Sequence, residues 1–169
     1  MSLERLSKSY ADYNNWANAT LGNYLLSKSR ETLTNHIPSS YPSLIQTIDH
    51  ISGSQEFWIE VITGDRYPGT RWENGKHSTG EVIRSLMDCS VFLGDFVNSL
   101  SKQRLKKKIK TPWMKKNVPL YEVLHHCFNH AAYHRGQLTM MCRQSGFTDV
   151  PNSDYHEYLM QKEKNATAD

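Results

Sequence analysis

Nowhere in the 169 residues does an apolar run approach the ~20 residues a helix needs to span a bilayer. The opening stretch, MSLERLSKSY, lacks the apolar core of a secretory signal. With a mean hydropathy of −0.65, these absences lead us to expect a cytoplasmic protein with no membrane partner. Cysteine is scarce: only Cys89, Cys127 and Cys142. An odd number at wide spacing gives neither a disulfide framework nor a CxxC metal site. All three are expected to be small buried hydrophobes. Internal repeats and low-complexity segments are missing as well. The length then reads as one domain over residues 1–163, with 164–169 as a flexible tail.

Acid is absent from one stretch. Residues 102–116, KQRLKKKIKTPWMKK, hold eight Lys/Arg and no Asp or Glu. Without them the chain has twelve basic and seventeen acidic residues, a net of −5 in place of +3. A nucleic-acid-binding domain spreads positive charge over a face or along a helix. Here it is confined to one segment, which reads as a solvated loop or hairpin. Nucleic acid is therefore not an expected partner.

What the sequence does have is helical periodicity. Leu3, Leu6, Tyr10, Tyr13, Ala17, Leu21 and Leu25 recur at three or four residues and predict a first helix over about 3–28. A second is predicted over about 42–63, with Ser40 as its cap, Pro42 in its first turn and Gly64 as its stop. Its inward residues run from Leu44 to Val61, and His50 sits among them. Gly64, Pro68, Gly69 and Gly75 mark a polar surface connection. Ser78 and Glu81 then form a capping box for a third helix to about 99. LKKKIKT alternates like a half-exposed strand, and PWMKKNVP can turn back, so a short hairpin is expected. A fourth helix runs from about Pro119 to Gly146, and a last short one covers 154–163. The expected architecture is all-α, a four-helix bundle with a short β-hairpin between helices 3 and 4.

The fourth helix carries HHCFNHAAYHRGQ at 125–137, which holds four of the eight histidines. His126, His130 and His134 recur every fourth residue. Such neighbours lie ~6 Å apart along a helix axis and about 40° apart around it, so an adjacent pair can face one ion. One pair is weak evidence, while three in register are stronger. The same stripe carries Val123, Cys127, Leu138 and Met141. Imidazoles buried on an apolar face need partners, and a metal ion is one. All three cannot share an ion easily, because two turns span ~12 Å. One adjacent pair plus a histidine from another helix fits better, and His50 is the only histidine within another predicted core helix. Spacing alone leaves open which pair it joins.

NHAAYHRGQ at 129–137 resembles the signature of the DinB family of candidate metalloenzymes. YNNWAN at 13–18 and IDHISGSQEFW at 48–58 resemble that family's first- and second-helix motifs, in the family's order. The family shares only a name with the lesion-bypass polymerase. The resemblance implies a four-helix bundle holding a divalent metal through His50, His130 and His134. It leaves His126 a supporting role beside the centre. Asn129 is expected to bond across the bundle, and Arg135 to form an ion pair or dock onto another helix. Gly136, unfavourable inside a helix, suggests the close approach of a neighbouring backbone. Gln137 lies on the histidine face, placed to orient a ligand or line a polar pocket. Cys127 is expected to be a core neighbour of the centre.

Three neutral ligands leave the full charge on an ion, which favours an activated water or thiol in an open position. Zinc and nickel suit such a site, and iron is a further candidate. Some relatives in the wider superfamily are metal-dependent S-transferases or isomerases that use small thiols. The resemblance thus implies a metal-dependent hydrolase or thiol S-transferase with a small-molecule substrate. The alternative is a non-enzymatic, metal-stabilised stress-response or binding protein. A homodimer is expected from the family.

Overall fold

A computed structural model of the protein describes residues 2–73 and 76–167. Gly75 and the last two residues of the expected tail lie outside them. Four long helices make the bundle: α1 (Leu3–Leu26), α3 (Leu44–Thr63), α4 (Thr79–Asn98) and α6 (Leu120–Gln144). Short elements join them: α2 (Arg30–Thr34), α5 (Lys102–Lys106), and a hairpin of β1 (Lys108–Ile109) with β2 (Val118–Pro119). The two strands are antiparallel, with Ile109 opposite Val118. α7 (Tyr155–Ala166) closes the chain.

α1 packs on α4 and α6, and α3 packs on the same two helices, so α1 and α3 lie diagonally opposite. The apolar stripes meet between them. Ile45, Ile48, Ile83 and Leu138 are fully buried, each worth roughly 1.5–3 kcal/mol relative to exposure. α7 lies on α1 through aromatic rings: Tyr155 stacks on Tyr10 and meets Tyr13 edge to face, each at 5.0 Å. Cys89, Cys127 and Cys142 are free and buried, as composition suggested.

The helix ends follow local chemistry. Ser78 accepts from the Glu81 N–H, and the Glu81 carboxylate accepts from the Ser78 N–H at 2.7 Å, completing the predicted capping box. Gly64 ends α3 at φ 85°, a left-handed conformation that glycine adopts without strain, and donates to the Glu60 carbonyl. The start of α3 differs from expectation. Ser43, not Ser40, is the cap: its hydroxyl accepts from the Gln46 N–H, which leaves Pro42 outside the helix. Both five-residue helices were unforeseen, because one turn shows no period to read. α7 also runs on through Ala166, into the segment expected to be a tail.

The bundle centre is not wholly apolar. Arg135 of α6 is buried and donates through Nη1 to Asn14 Oδ1 at 2.8 Å and Asn18 Oδ1 at 2.9 Å on α1. Asn14 and Asn18 donate in turn to Gln55 Oε1 on α3, and Asn18 also reaches Ser90 Oγ on α4. One network therefore ties all four long helices. Among the described residues Arg135 has no carboxylate partner; the Tyr13 ring lies 5.2 Å from its guanidinium. Of the two readings above, docking onto another helix is the one realised. This clamp fixes the rotation of α6, and with it the direction in which the preceding residue, His134, points.

Candidate metal centre

His50 stands near the middle of α3, and His130 and His134 stand one turn apart on the adjacent face of α6. The three rings meet across the α3–α6 seam. His50 Nε2 lies 3.0 Å from His130 Nε2 and 3.1 Å from His134 Nε2. A tetrahedral ion with bonds of ~2.0–2.1 Å separates its nitrogen ligands by about 3.4 Å, so these nitrogens stand within a few tenths of an ångström of ligand spacing. Among the described residues they form the one group of His, Cys, Asp or Glu able to hold a metal.

The donor chemistry fits an ion. Gln137 Oε1 accepts from His134 Nδ1 at 2.8 Å. A neutral His134 protonated there presents a bare lone pair at Nε2, the outer contact that fixes a ligating imidazole's tautomer. Burial pushes His50 down to about 4, with His134, His130 and Arg71 adding in the same sense. His130 is lowered too, first by burial and then by His134 and His126. At neutral pH the centre is therefore rich in lone pairs and poor in protons.

Two further residues flank the centre, and neither was foreseen. The Tyr41 hydroxyl lies 3.1 Å from His50 Nε2, with its ring stacked on the His50 ring at 4.0 Å. Tyr41 sits in the irregular stretch before α3, where no periodicity could mark it. Arg71, in the connection after α3, bridges Asp49 at 3.1 Å and Glu56 at 3.7 Å. A Cβ on Gly53 would overlap its guanidinium, so this glycine lets the arginine lie flat on α3 one turn from His50. The Trp72 N–H donates to Asp49 as well, which pins the connection beside the site.

The other sequence candidates take varied places. Gln137 orients His134, one of the two roles proposed for it. His126 stands outside the three-histidine group, exposed, with its ring 5.1 Å from Trp58 and 5.9 Å from His130. Cys127 is buried, and burial pushes its thiol up to about 12, so it stays protonated in the core. Asn129 does not bond across the bundle. It is exposed and donates to the His125 carbonyl of its own helix, because its position points to solvent. Gly136 has no close neighbour either: a Cβ there would meet nothing within 4 Å among the described residues.

The DinB family profile matches residues 1–166. The chain belongs to the DinB family. Protein DinB of Bacillus subtilis (strain 168) is 34% identical over 158 residues, covering 88% of this chain and 90% of that one. Among solved structures, a DinB-like protein from Bacillus cereus ATCC 10987 aligns with a TM-score of 0.64 at 20% identity. That alignment covers 83% of this chain and 91% of the other. A DinB-like protein from Bacillus subtilis aligns with a TM-score of 0.60 at 17% identity, over 91% and 98% of the two chains. At those identities the structures speak for the DinB bundle as a fold and for nothing finer.

Proposed function

We propose that this protein is a metal-dependent thiol S-transferase built on the three-histidine centre. The observation that carries the reading is a cleft of about 370 Å³ whose walls include His50 and His130, together with Arg71, Phe57, Trp58 and Trp113. A purely structural ion is closed in by protein ligands, whereas a catalytic one keeps a side open to substrate. His50, His130 and His134 would hold the ion, with zinc and nickel suited to imidazole and iron as a further candidate. A divalent ion with neutral ligands supplies Lewis acidity that lowers the pKa of a thiol or water beside it.

Two features favour a thiol over water, and so a transferase over a hydrolase. The group contains no carboxylate among the described residues. The acids on the same helix as His50 that flank it, Asp49 and Glu56, are engaged by Arg71. Hydrolysis gains from a general base that takes a proton from water as it attacks. A thiol, far more acidic than water, ionises with less help. Its sulfur pair would form the new C–S bond while the electrophile's leaving group departs with the electrons of the bond it loses. The thiol proton passes to solvent. Gln137 holds His134 in one tautomer, and Tyr41 places a hydroxyl at the edge of the centre, where it can donate to a sulfur anion.

The same tyrosine favours the second reading, a non-enzymatic protein whose ion cross-links α3 and α6. A hydroxyl 3.1 Å from His50 Nε2 is close enough to close a fourth position. The deciding experiment loads the purified protein with zinc or nickel and supplies a panel of low-molecular-weight thiols, bacillithiol included, with an alkylating electrophile. Mass spectrometry should show an S-conjugate that depends on the metal and disappears in His50→Ala. Stoichiometric metal with no conjugate from any thiol would leave the cross-linking reading standing instead.

A further inference from the structure

The basic hairpin between α5 and α6 supplies no ligand to the histidine centre, yet its tip carries the most exposed aromatic side chain among the described residues. Trp113 is 71% exposed, and Met114 beside it is 56% exposed. Trp113 does not hang free. Its ring centroid lies 5.2 Å from Phe57 and 5.7 Å from Trp58, both on α3. Trp58 continues the series to His126 at 5.1 Å, and His126 to His130 at 5.9 Å. An unbroken run of rings thus leads from the hairpin tip to the histidine centre.

Beneath that run lies a cleft of about 510 Å³, walled by Trp58, Trp113, Met114, Val123 and His126. It shares Trp58, Trp113 and His126 with the cleft that reaches His50 and His130, so the two are parts of one groove. The size suits a small organic ligand. A second observation points to an occupant. Thr111 lines this cleft and is 3% exposed, and its hydroxyl has no hydrogen-bond partner among the described residues. Buried hydroxyls are ordinarily paired, and an unpaired one is a place for a ligand's polar atom. The walls favour a flat ring, because aromatic faces and edges gain about 0.5–1.5 kcal/mol per ring pair beyond the area buried.

We propose that this groove binds the planar aromatic part of the electrophilic substrate, with a polar substituent meeting Thr111. The substrate class rests on the transferase reading above; the groove's preference for aromatic rings does not. The metal-loaded protein is titrated with two inert probes of matched skeleton, 2-naphthol and decahydro-2-naphthol. The indole N–H signals of the four tryptophans are followed by NMR. The expected result is a saturable shift of the Trp58 and Trp113 signals by 2-naphthol, with the saturated alcohol roughly tenfold weaker. Trp113→Ala should weaken 2-naphthol by about fivefold with metal content unchanged. Thr111→Val should weaken 2-naphthol about threefold or more and leave naphthalene unaffected. Equal binding of the two alcohols, an unaffected Trp113→Ala, or shifts at Trp16 and Trp72 instead would overturn the proposal. Ring binding without S-conjugation would uphold the groove and overturn only the transferase reading.

Discussion

His134 and Arg135 are consecutive on α6, yet they belong to opposite kinds of polar cluster. Arg135 points into the bundle centre, where Asn14, Asn18, Gln55 and Ser90 pair their polar atoms with one another. His134 points into the seam, where Nε2 atoms from three imidazoles converge with few protons to share. The first cluster is closed but for Arg135 Nη2, which finds no partner among the described residues: its other side-chain donors and acceptors are matched, and its product is a fixed helix rotation. The second is open: its lone pairs need a cation from outside. A buried charge is tolerable only when solvated by the protein, and two amide oxygens with a tyrosine face do that for Arg135. The matched pairs around Arg135 hold the fold, and the converging lone pairs of the three histidines mark where it meets a ligand.

Breaking the open cluster should have the largest effect on metal and a small one on folding. His50→Ala, His130→Ala and His134→Ala should each drop bound zinc from about one per chain to near zero by elemental analysis, because a three-ligand site loses its geometry with any one member. Helicity by circular dichroism should persist. His126→Ala should keep its metal, since that ring lies outside the group. Full metal content in His50→Ala would remove α3 from the site altogether.

Breaking the closed cluster should do the reverse. Arg135→Met leaves the Asn14 and Asn18 oxygens facing α6 without a donor, at about 1–3 kcal/mol for each buried unsatisfied group. We expect a loss of about 3 kcal/mol in urea unfolding of the metal-free protein. A change below about 0.5 kcal/mol would mean that the network is not what sets the rotation of α6.

The two clusters were unequally legible in the sequence. Histidines spaced by four on an apolar stripe announce themselves, and the family motifs then joined His50 to His130 and His134. The closed cluster gave no such signal. Asn14, Asn18 and Gln55 read as solvent-facing by their polarity, yet each is about 1% exposed. A polar side chain is legible as buried only once its partners are known, and these come from four separate helices. The long helices followed from apolar spacing and caps, while α2 and α5 are too short to show a period. Tyr41 and Trp113 reach the site from irregular segments, where position depends on tertiary packing alone.

Protons should separate the clusters more gently. An unfolded histidine titrates near ~6.5, whereas His50 in the fold titrates at about 4. Between those values the unfolded chain binds a proton that the native centre refuses, so stability rises with pH across the window. The metal-free protein should be fully stable above ~6.5, lose stability as pH falls toward 4, and level off below it. His130 contributes in the same direction. Urea midpoints between pH 4 and 8 would show this, and His50→Phe should flatten the curve. An unchanged slope in that variant would place the titration elsewhere.

The smallest effect tests the surface of the same helix. Gly136 follows Arg135 directly and faces away from both clusters. Its backbone is helical, and a Cβ would meet nothing within 4 Å among the described residues. Glycine inside a helix is less favourable than alanine by about 1 kcal/mol, so Gly136→Ala should stabilise the monomer by about that much. Metal content and the pH curve should not move, because neither cluster touches this face. The sharper outcome is the opposite one. Gly136 is flanked on the exposed side by Tyr133, 66% exposed, and Met140, 53% exposed. If a second copy packs there, as the expected homodimer requires of some helix face, the added methyl group would meet it. Gly136→Ala would then lower stability at high protein concentration and raise it at low concentration. Unfolding at two concentrations, read beside the mass from analytical ultracentrifugation, therefore tells whether the bare face of α6 belongs to one chain or two.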